Sequence, residues 1–167
     1  MELTVAFKKL QQSQEFKSWN KENKDIFASF ALKMLENGKE DDWHFGFYHE
    51  STDKIATFIT GKDKIEFIQE EEIFKKPDAK ISQIDFKKLK MPLKKILEHT
   101  SNTLKDKYPS ELVNKTIAIL QNVDENGTIW NITYLTNSYK TINFIVNPEN
   151  SQIVSQTMES LMSFVKK

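Results

Sequence analysis

The stretch TIAILQNVDENGTIWNITYLTNSYKTINFIVNPENSQIV, residues 116–154, decides the fold. Three runs rich in β-branched and aromatic residues follow one another, as strands do. Asp124-Glu125-Asn126-Gly127 is the strongest hairpin signal in the chain, because Asn-Gly accepts the positive φ that a tight turn needs. In the second run Trp130, Ile132 and Tyr134 alternate onto one side. In the third, Ile142, Phe144 and Val146 do the same. Pro148-Glu149-Asn150-Ser151 turns the chain again, and Ile153-Val154 adds a short fourth run. The pattern predicts an antiparallel meander with one apolar face.

Around this meander the period changes to that of helices. Pro92 opens a helix upstream, since proline suits a first helical turn. Leu93, Ile96, Leu97, Thr100, Leu104 and Tyr108 fall on one face of it. Lys105 and Lys107 complement its carboxyl end, and Pro109 stops it. Downstream, Met158, Leu161, Met162 and Val165 predict a last helix with these residues inward. A Lys-rich connector, residues 77–91, opens with Pro77-Asp78 and precedes the Pro92 helix.

The first half reads in similar terms. Residues 2–18 predict a modest helix with Leu3, Phe7 and Leu10 inward, joined by Val5 and Phe16, and interrupted at Ser18-Trp19-Asn20. A stronger helix is expected up to Asn37, carried by Ile26, Phe27, Phe30, Ala31, Met34 and Leu35, with Asn37-Gly38 as its stop. From Trp43 the period becomes two: Trp43, Phe45 and Phe47 alternate with His44, Gly46 and Tyr48. Ser51-Thr52-Asp53-Lys54 and Gly61-Lys62-Asp63 are turns. They separate strands at 55–60 and from Ile65, the latter with Phe67 and Ile73 on one face and Glu70-Glu71-Glu72 near its end.

The segment from Trp43 echoes the segment from Trp130. Trp43 aligns with Trp130, Phe45 with Ile132, and Phe47 with Tyr134. After a gap of one, Phe58-Ile59 aligns with Phe144-Ile145. Each segment follows an amphipathic helix, and the second half carries an extra strand between helix and Trp. The chain therefore divides into residues 1–76 (helices and a three-stranded meander), the connector 77–91, and residues 92–167 (helix, sheet and C-terminal helix). These parts are expected to form two sheets or one continuous sheet.

Residues 92–154 resemble a PepSY-like unit. The resemblance rests on an amphipathic helix ending in Tyr108-Pro109, a strand, a Trp130-x-Ile132-x-Tyr134 strand, and a third strand that runs into a turn. The family commonly has Asp and then Gly in that last turn, where this chain has Asn147 and Asn150-Ser151. The resemblance implies an α+β fold of two PepSY/cystatin-like units, each an amphipathic helix packed on a curved antiparallel sheet, with additional N- and C-terminal helices. It also implies a peptidase-inhibiting or protein-binding role, and it carries over no catalytic residue.

Composition narrows the function classes. Twelve Phe and 38% hydrophobic residues supply a core. The 24 basic residues are all Lys and balance 24 acidic ones. A neutral chain without the guanidinium fork is a poor candidate for nucleic-acid binding. No Cys is present, which excludes thiolate metal sites and cysteine nucleophiles. The amino terminus has no basic start before an apolar run, and no apolar run is long enough to span a membrane. Together these point to a cytoplasmic protein.

No constellation with catalytic spacing emerges, and no cofactor or metal is expected. His44 and His49 lie five apart in a strand, hence on opposite faces. Asp41-Asp42 with His44 falls short of the three or four convergent ligands a metal needs. His99, on the Pro92 helix three residues after Ile96, reads as a boundary residue rather than a base. Four Gly offer no phosphate-cradling loop. The candidate contact residues are Trp43, Tyr48, Trp130, Tyr134 and Tyr139, with Lys87, Lys88 and Lys90 as a basic cluster. Trp43 and Trp130 read first as core anchors and second as floor residues of a ligand cavity. Tyr48 and Tyr139 are the aromatics expected at the surface. The expected function is a non-enzymatic protein-binding or regulatory module that acts through a sheet edge or face, self-association included. A second reading is a small-ligand or lipid carrier with a cavity between helix and curved sheet. A third is an enzyme with a curved-sheet pocket.

Overall fold

The structure, a computed structural model, describes residues 1–73 and 78–165, with the side chains of 164 and 165 left out. Helices α1 (Leu3–Gln12) and α2 (Gln14–Glu22) open the chain. Strands β1 (Ile26–Glu36), β2 (Lys39–Glu40), β3 (Trp43–His49), β4 (Lys54–Thr60) and β5 (Ile65–Glu72) follow. After a 3-10 turn at Phe86–Lys88 come helix α3 (Leu93–Lys107), then β6 (Val113–Val123), β7 (Gly127–Thr136), β8 (Lys140–Val146) and β9 (Ile153–Ser160), and a short α4 (Met162–Val165). The fold is α+β.

All nine described strands form one antiparallel sheet in the order β5-β4-β3-β1-β6-β7-β8-β9, with β2 paired to β1. The sheet is thus continuous from one end of the chain to the other. Its centre is the β1–β6 ladder, where Leu32 pairs with Ile119 and Ala31 with Leu120. On each side of that ladder the strands step outward in chain order.

The helices share one face of the sheet. α1 lies on β3 and β4, α2 on β5, and α3 on β8. Leu3, Ala6 and Leu10 of α1, Phe16 of α2, and Ile96 and Leu104 of α3 join one buried cluster with Trp43, Phe45, Phe58, Trp130, Ile132 and Phe144. The connector closes one end of this layer. Phe86 stacks on Phe7 at 4.3 Å, and Ile84 is buried with its N–H donating to the Ala28 carbonyl. The segment 74–77, with Pro77, lies outside the described residues.

Several expectations need correction. The predicted helix up to Asn37 is the central strand β1. The run IFASFALKML is apolar on both faces, as a central strand requires. Ala31 (with Lys33) faces the helices, while Phe30, Leu32 and Met34 face away, so helical spacing is satisfied without a helix. Tertiary pairing on both sides overrides the helix propensity of Ala, Leu, Lys and Met. Asn37 (φ 51) and Gly38 (φ 75) form the hairpin turn into β2 instead of a helix stop. With β1 in place, each half has four main strands after its helices, and the second half has no extra one.

The predicted C-terminal helix is largely strand β9, paired along its length with β8. Met158, Leu161 and Met162 are 44%, 38% and 53% exposed, not inward; the side chain of Val165 lies outside the described residues. The amino-terminal helix breaks at Ser13, whose Oγ accepts from the Phe16 N–H at 3.1 Å and caps α2. Trp19 therefore continues α2 and packs on Phe58 and Phe67. Lastly, β5 ends at Glu72, short of Ile73. No described helix is long and apolar enough to cross a membrane.

Candidate functional site

Three surfaces have chemistry to offer: a cleft among the helices, the uncovered sheet face, and the two sheet edges.

The cleft forms where α1 and α3 part above the centre of the sheet. Trp43 and Trp130 are 2% and 1% exposed, and their rings lie 6.3 Å apart at 45°. The Trp43 indole N–H donates to the Met1 carbonyl at 2.8 Å. The buried Nε1 of Trp130 and Oγ1 of Thr60 have no hydrogen-bond partner among the described residues. Beside Trp43 lies Lys33, 5% exposed although it is a lysine in the middle of a strand. Its Nζ is 2.7 Å from Glu40 Oε2 and 5.0 Å from the centre of the Trp43 ring. A buried ammonium needs such partners, because desolvation alone would make it untenable. Hydrogen bonding from Lys33 holds the Glu40 carboxyl below the usual carboxylate range. A cavity of about 340 Å³ opens here, walled by Leu35, Trp43, Leu93 and Leu97.

Two further hollows continue along the flank of α3. One of about 520 Å³ shares Leu35, Lys94 and Leu97 with the first. The next, about 450 Å³, shares Ser101, Thr116 and Tyr134 with the second and is walled by Leu104, Pro109 and Leu112. Tyr134 is 3% exposed, and its hydroxyl lies 2.6 Å from Thr100 Oγ1. Burial raises its phenol to about 12.

The face opposite the helices is uncovered among the described elements. Leu32 and Ile119 lie at its centre, flanked by Phe30, Met34, Ile117 and Ile59, all half-buried by one another. The Phe30 ring occupies the space left by Gly46, its pairing partner in β3, where an added Cβ would stand 2.0 Å from the ring. Further out, Asn143 Nδ2 hydrogen bonds to Asn131 and Thr133, tying β8 to β7.

The two edges differ. β5 carries Glu66, Glu70, Glu71 and Glu72 among its eight residues. β9, IVSQTMES, carries only Glu159. Charges on an edge strand discourage pairing with other chains, so β5 is guarded and β9 is not. β9 is held from the helix side: the Tyr108 hydroxyl accepts from Gln156 Nε2 at 2.7 Å, and Lys107 Nζ donates to Gln156 Oε1 at 2.8 Å. Near its end the Leu161 N–H donates to the Tyr139 carbonyl at 2.8 Å. Exposed Tyr139 thus sits beside exposed Leu161, with Met162 following in sequence.

The candidate residues therefore scatter. Trp43 and Trp130 meet in the cleft, and Tyr134 borders its extension. Tyr139, 65% exposed, stands near the β9 end. Tyr48 departs from expectation: it is 8% exposed, packed against Phe27, with its hydroxyl donating to Asp53 Oδ1 at 2.5 Å. The alternation did send it away from Trp43, but a wide sheet buries even its uncovered face near the centre. Lys87 and Lys88 lie in the 3-10 turn, and Lys90, two residues past it, pairs with Glu149 at 3.1 Å. His44 and His49 lie on opposite faces, as alternation requires, and His99 is exposed on α3 with Nδ1 2.9 Å from the Ser151 carbonyl. Sequence reasoning missed Lys33 and Glu40. Taking Asn37-Gly38 as a hairpin would have found them, since it places both residues on paired strands next to Trp43.

No protein-family model and no curated protein matches the chain. Among solved structures, the fold is similar to a "putative lipoprotein" from Clostridium difficile 630. The TM-score is 0.55 at 11% identity, over 90% of this chain and 97% of that one. At this identity the likeness is one of fold.

Proposed function

We propose that this chain is a non-enzymatic protein-binding module of PepSY-like type, which takes an extended segment of a partner protein as an added strand along β9. The observation that carries this reading is the asymmetry of the edges: four glutamates on β5 against one charge on β9. An unguarded outer strand offers a row of backbone donors and acceptors, and strand addition satisfies them. Exposed Val154 and Met158 on β9, with Tyr139, Leu161 and Met162 at its end, supply apolar contacts that anchor a partner in register.

The PepSY-like reading draws support from chain order, a helix α3 followed by the meander β6 to β9. An internal duplication is part of the same proposal. Phe45 pairs with Phe58 as Ile132 pairs with Phe144, and Trp43 pairs with Thr60 as Trp130 pairs with Val146. The residues aligned by sequence thus hold matching ladder positions.

The test is affinity capture from the cells of origin with three baits: wild type, Val154→Lys/Met158→Lys, and a β5 control, Glu71→Gln/Glu72→Gln. A protein held by wild type and the β5 control but lost from the β9 variant supports the reading. A partner set unchanged by the β9 lysines overturns it.

A further inference from the structure

Independently of the β9 edge, we infer that the cleft beside Trp43 is a binding site for an amphipathic carboxylate, whose acid group replaces Glu40 on Lys33 and whose apolar body lies along α3.

The argument starts from the unequal fixation of the ion pair. Lys33 is locked: it is 5% exposed, in the central strand, with its ammonium over the Trp43 face. Glu40 is not. Its side chain is 57% exposed, and it belongs to a two-residue strand just past the Asn37-Gly38 turn. The buried cation needs a carboxylate, and the one it has comes from the rim. Glu40 can swing into water when another carboxylate takes its place on the ammonium, while Lys33 has nowhere to go. Glu40 therefore occupies the position that an incoming acid would take.

The shape of the site selects the rest of the ligand. The 340 Å³ cavity at Lys33 shares Leu35 and Leu97 with the next hollow, which leads on to Leu104 and Leu112. Lys33 stands at one end, and Leu97, Leu104 and Leu112 supply an apolar wall along the run beside the polar Lys94, Glu98 and Ser101. Such a run fits a molecule with one charged head and an apolar chain. At the far end Leu112 is 68% exposed, an apolar side chain with no described cover. A purely polar anion would leave these walls unused, and a neutral apolar molecule would make no use of Lys33.

The experiment is a titration with laurate below the concentration at which it forms micelles, followed by tryptophan emission and by thermal shift. Dodecanol and dodecyltrimethylammonium are the matched probes without the carboxylate. Wild type is expected to bind laurate saturably, and dodecanol about tenfold more weakly, the worth of one charge-assisted hydrogen bond. Glu40→Gln removes the internal competitor without touching the core. It is expected to bind laurate severalfold more tightly than wild type and to gain the larger thermal shift. Lys33→Met is expected to lose the preference for laurate over dodecanol. If Lys33→Met does not fold, the Glu40→Gln and dodecanol comparisons decide alone. Absence of laurate binding to both wild type and Glu40→Gln overturns the assignment. So does equal binding of laurate and dodecanol, or an affinity unchanged by Glu40→Gln.

Discussion

The indole rings of Trp43 and Trp130 touch across the centre of the helix-covered face, 6.3 Å apart, although 87 positions separate them in sequence. One comes from β3 and the other from β7, on either side of the β1–β6 ladder. The contact ties the two halves of the sheet through their largest buried side chains.

The two indoles differ in one respect that a mutation can read. Trp43 donates to the Met1 carbonyl, whereas Nε1 of Trp130 has no partner among the described residues. Trp43→Phe is expected to cost about 1 kcal/mol more than Trp130→Phe, because only the former loses a hydrogen bond. Either residue changed to Ala should cost about 3–5 kcal/mol through the cavity left behind. Denaturant unfolding of the four variants checks the order.

Gly46 is fixed by the ring of Phe30. A Cβ at Gly46 would stand 2.0–2.6 Å from three atoms of that ring. Gly46→Ala should destabilise by about 1–3 kcal/mol through overpacking. The cost should shrink in a Phe30→Ala background, giving a negative coupling in a double-mutant cycle.

Much of this was legible in the residues. Asn126-Gly127 and the alternation of Trp130, Ile132 and Tyr134 specify β6 to β8 because both signals are local and agree. β1 was not legible, because an apolar run such as IFASFALKML satisfies helical and strand periods alike. Only its neighbours β3 and β6 decide between them. Asn37-Gly38 is ambiguous for the same reason, since a helix stop and a tight hairpin both need positive φ. That one misreading hid Lys33 and Glu40, whose meeting depends on the hairpin. At the other end, SQTMES has too few apolar residues to declare a period, so pairing to β8 alone makes it a strand.

The Tyr134 phenol is raised to about 12 by burial, against an ordinary value near 10. Between these values the unfolded chain has lost the proton and the folded chain keeps it. The contribution is whole below about pH 10 and declines as pH rises toward 12, at about 1.4 kcal/mol per unit. Tyr134→Phe should remove this decline and cost about 1 kcal/mol at neutral pH through the lost bond to Thr100. Stability measured against pH from 8 to 12 on both proteins checks the sign.

Glu40 works in the opposite direction. Its carboxyl is held below the ordinary range by Lys33, so the pair stabilises above the unfolded value of 4.5 and its contribution fades as pH falls through the lower folded value. Glu40→Gln should flatten the acid limb of the stability profile while leaving the alkaline limb unchanged. Urea midpoints from pH 2 to 6 read the difference.

Exposed positions on β9 tolerate change if the edge is free for a partner. Val154→Lys and Met158→Lys should shift stability by no more than about 0.5 kcal/mol, since both side chains are already near half exposed. Thermal unfolding of the double variant checks that any loss of partner is not a loss of fold.

Hydrogen exchange of the chain, free and in complex with its captured partner, tests strand addition most directly. The account predicts new amide protection concentrated in β9, residues 153–160, with β5, residues 65–72, unchanged. Protection gained elsewhere while β9 exchanges as in the free chain would contradict it.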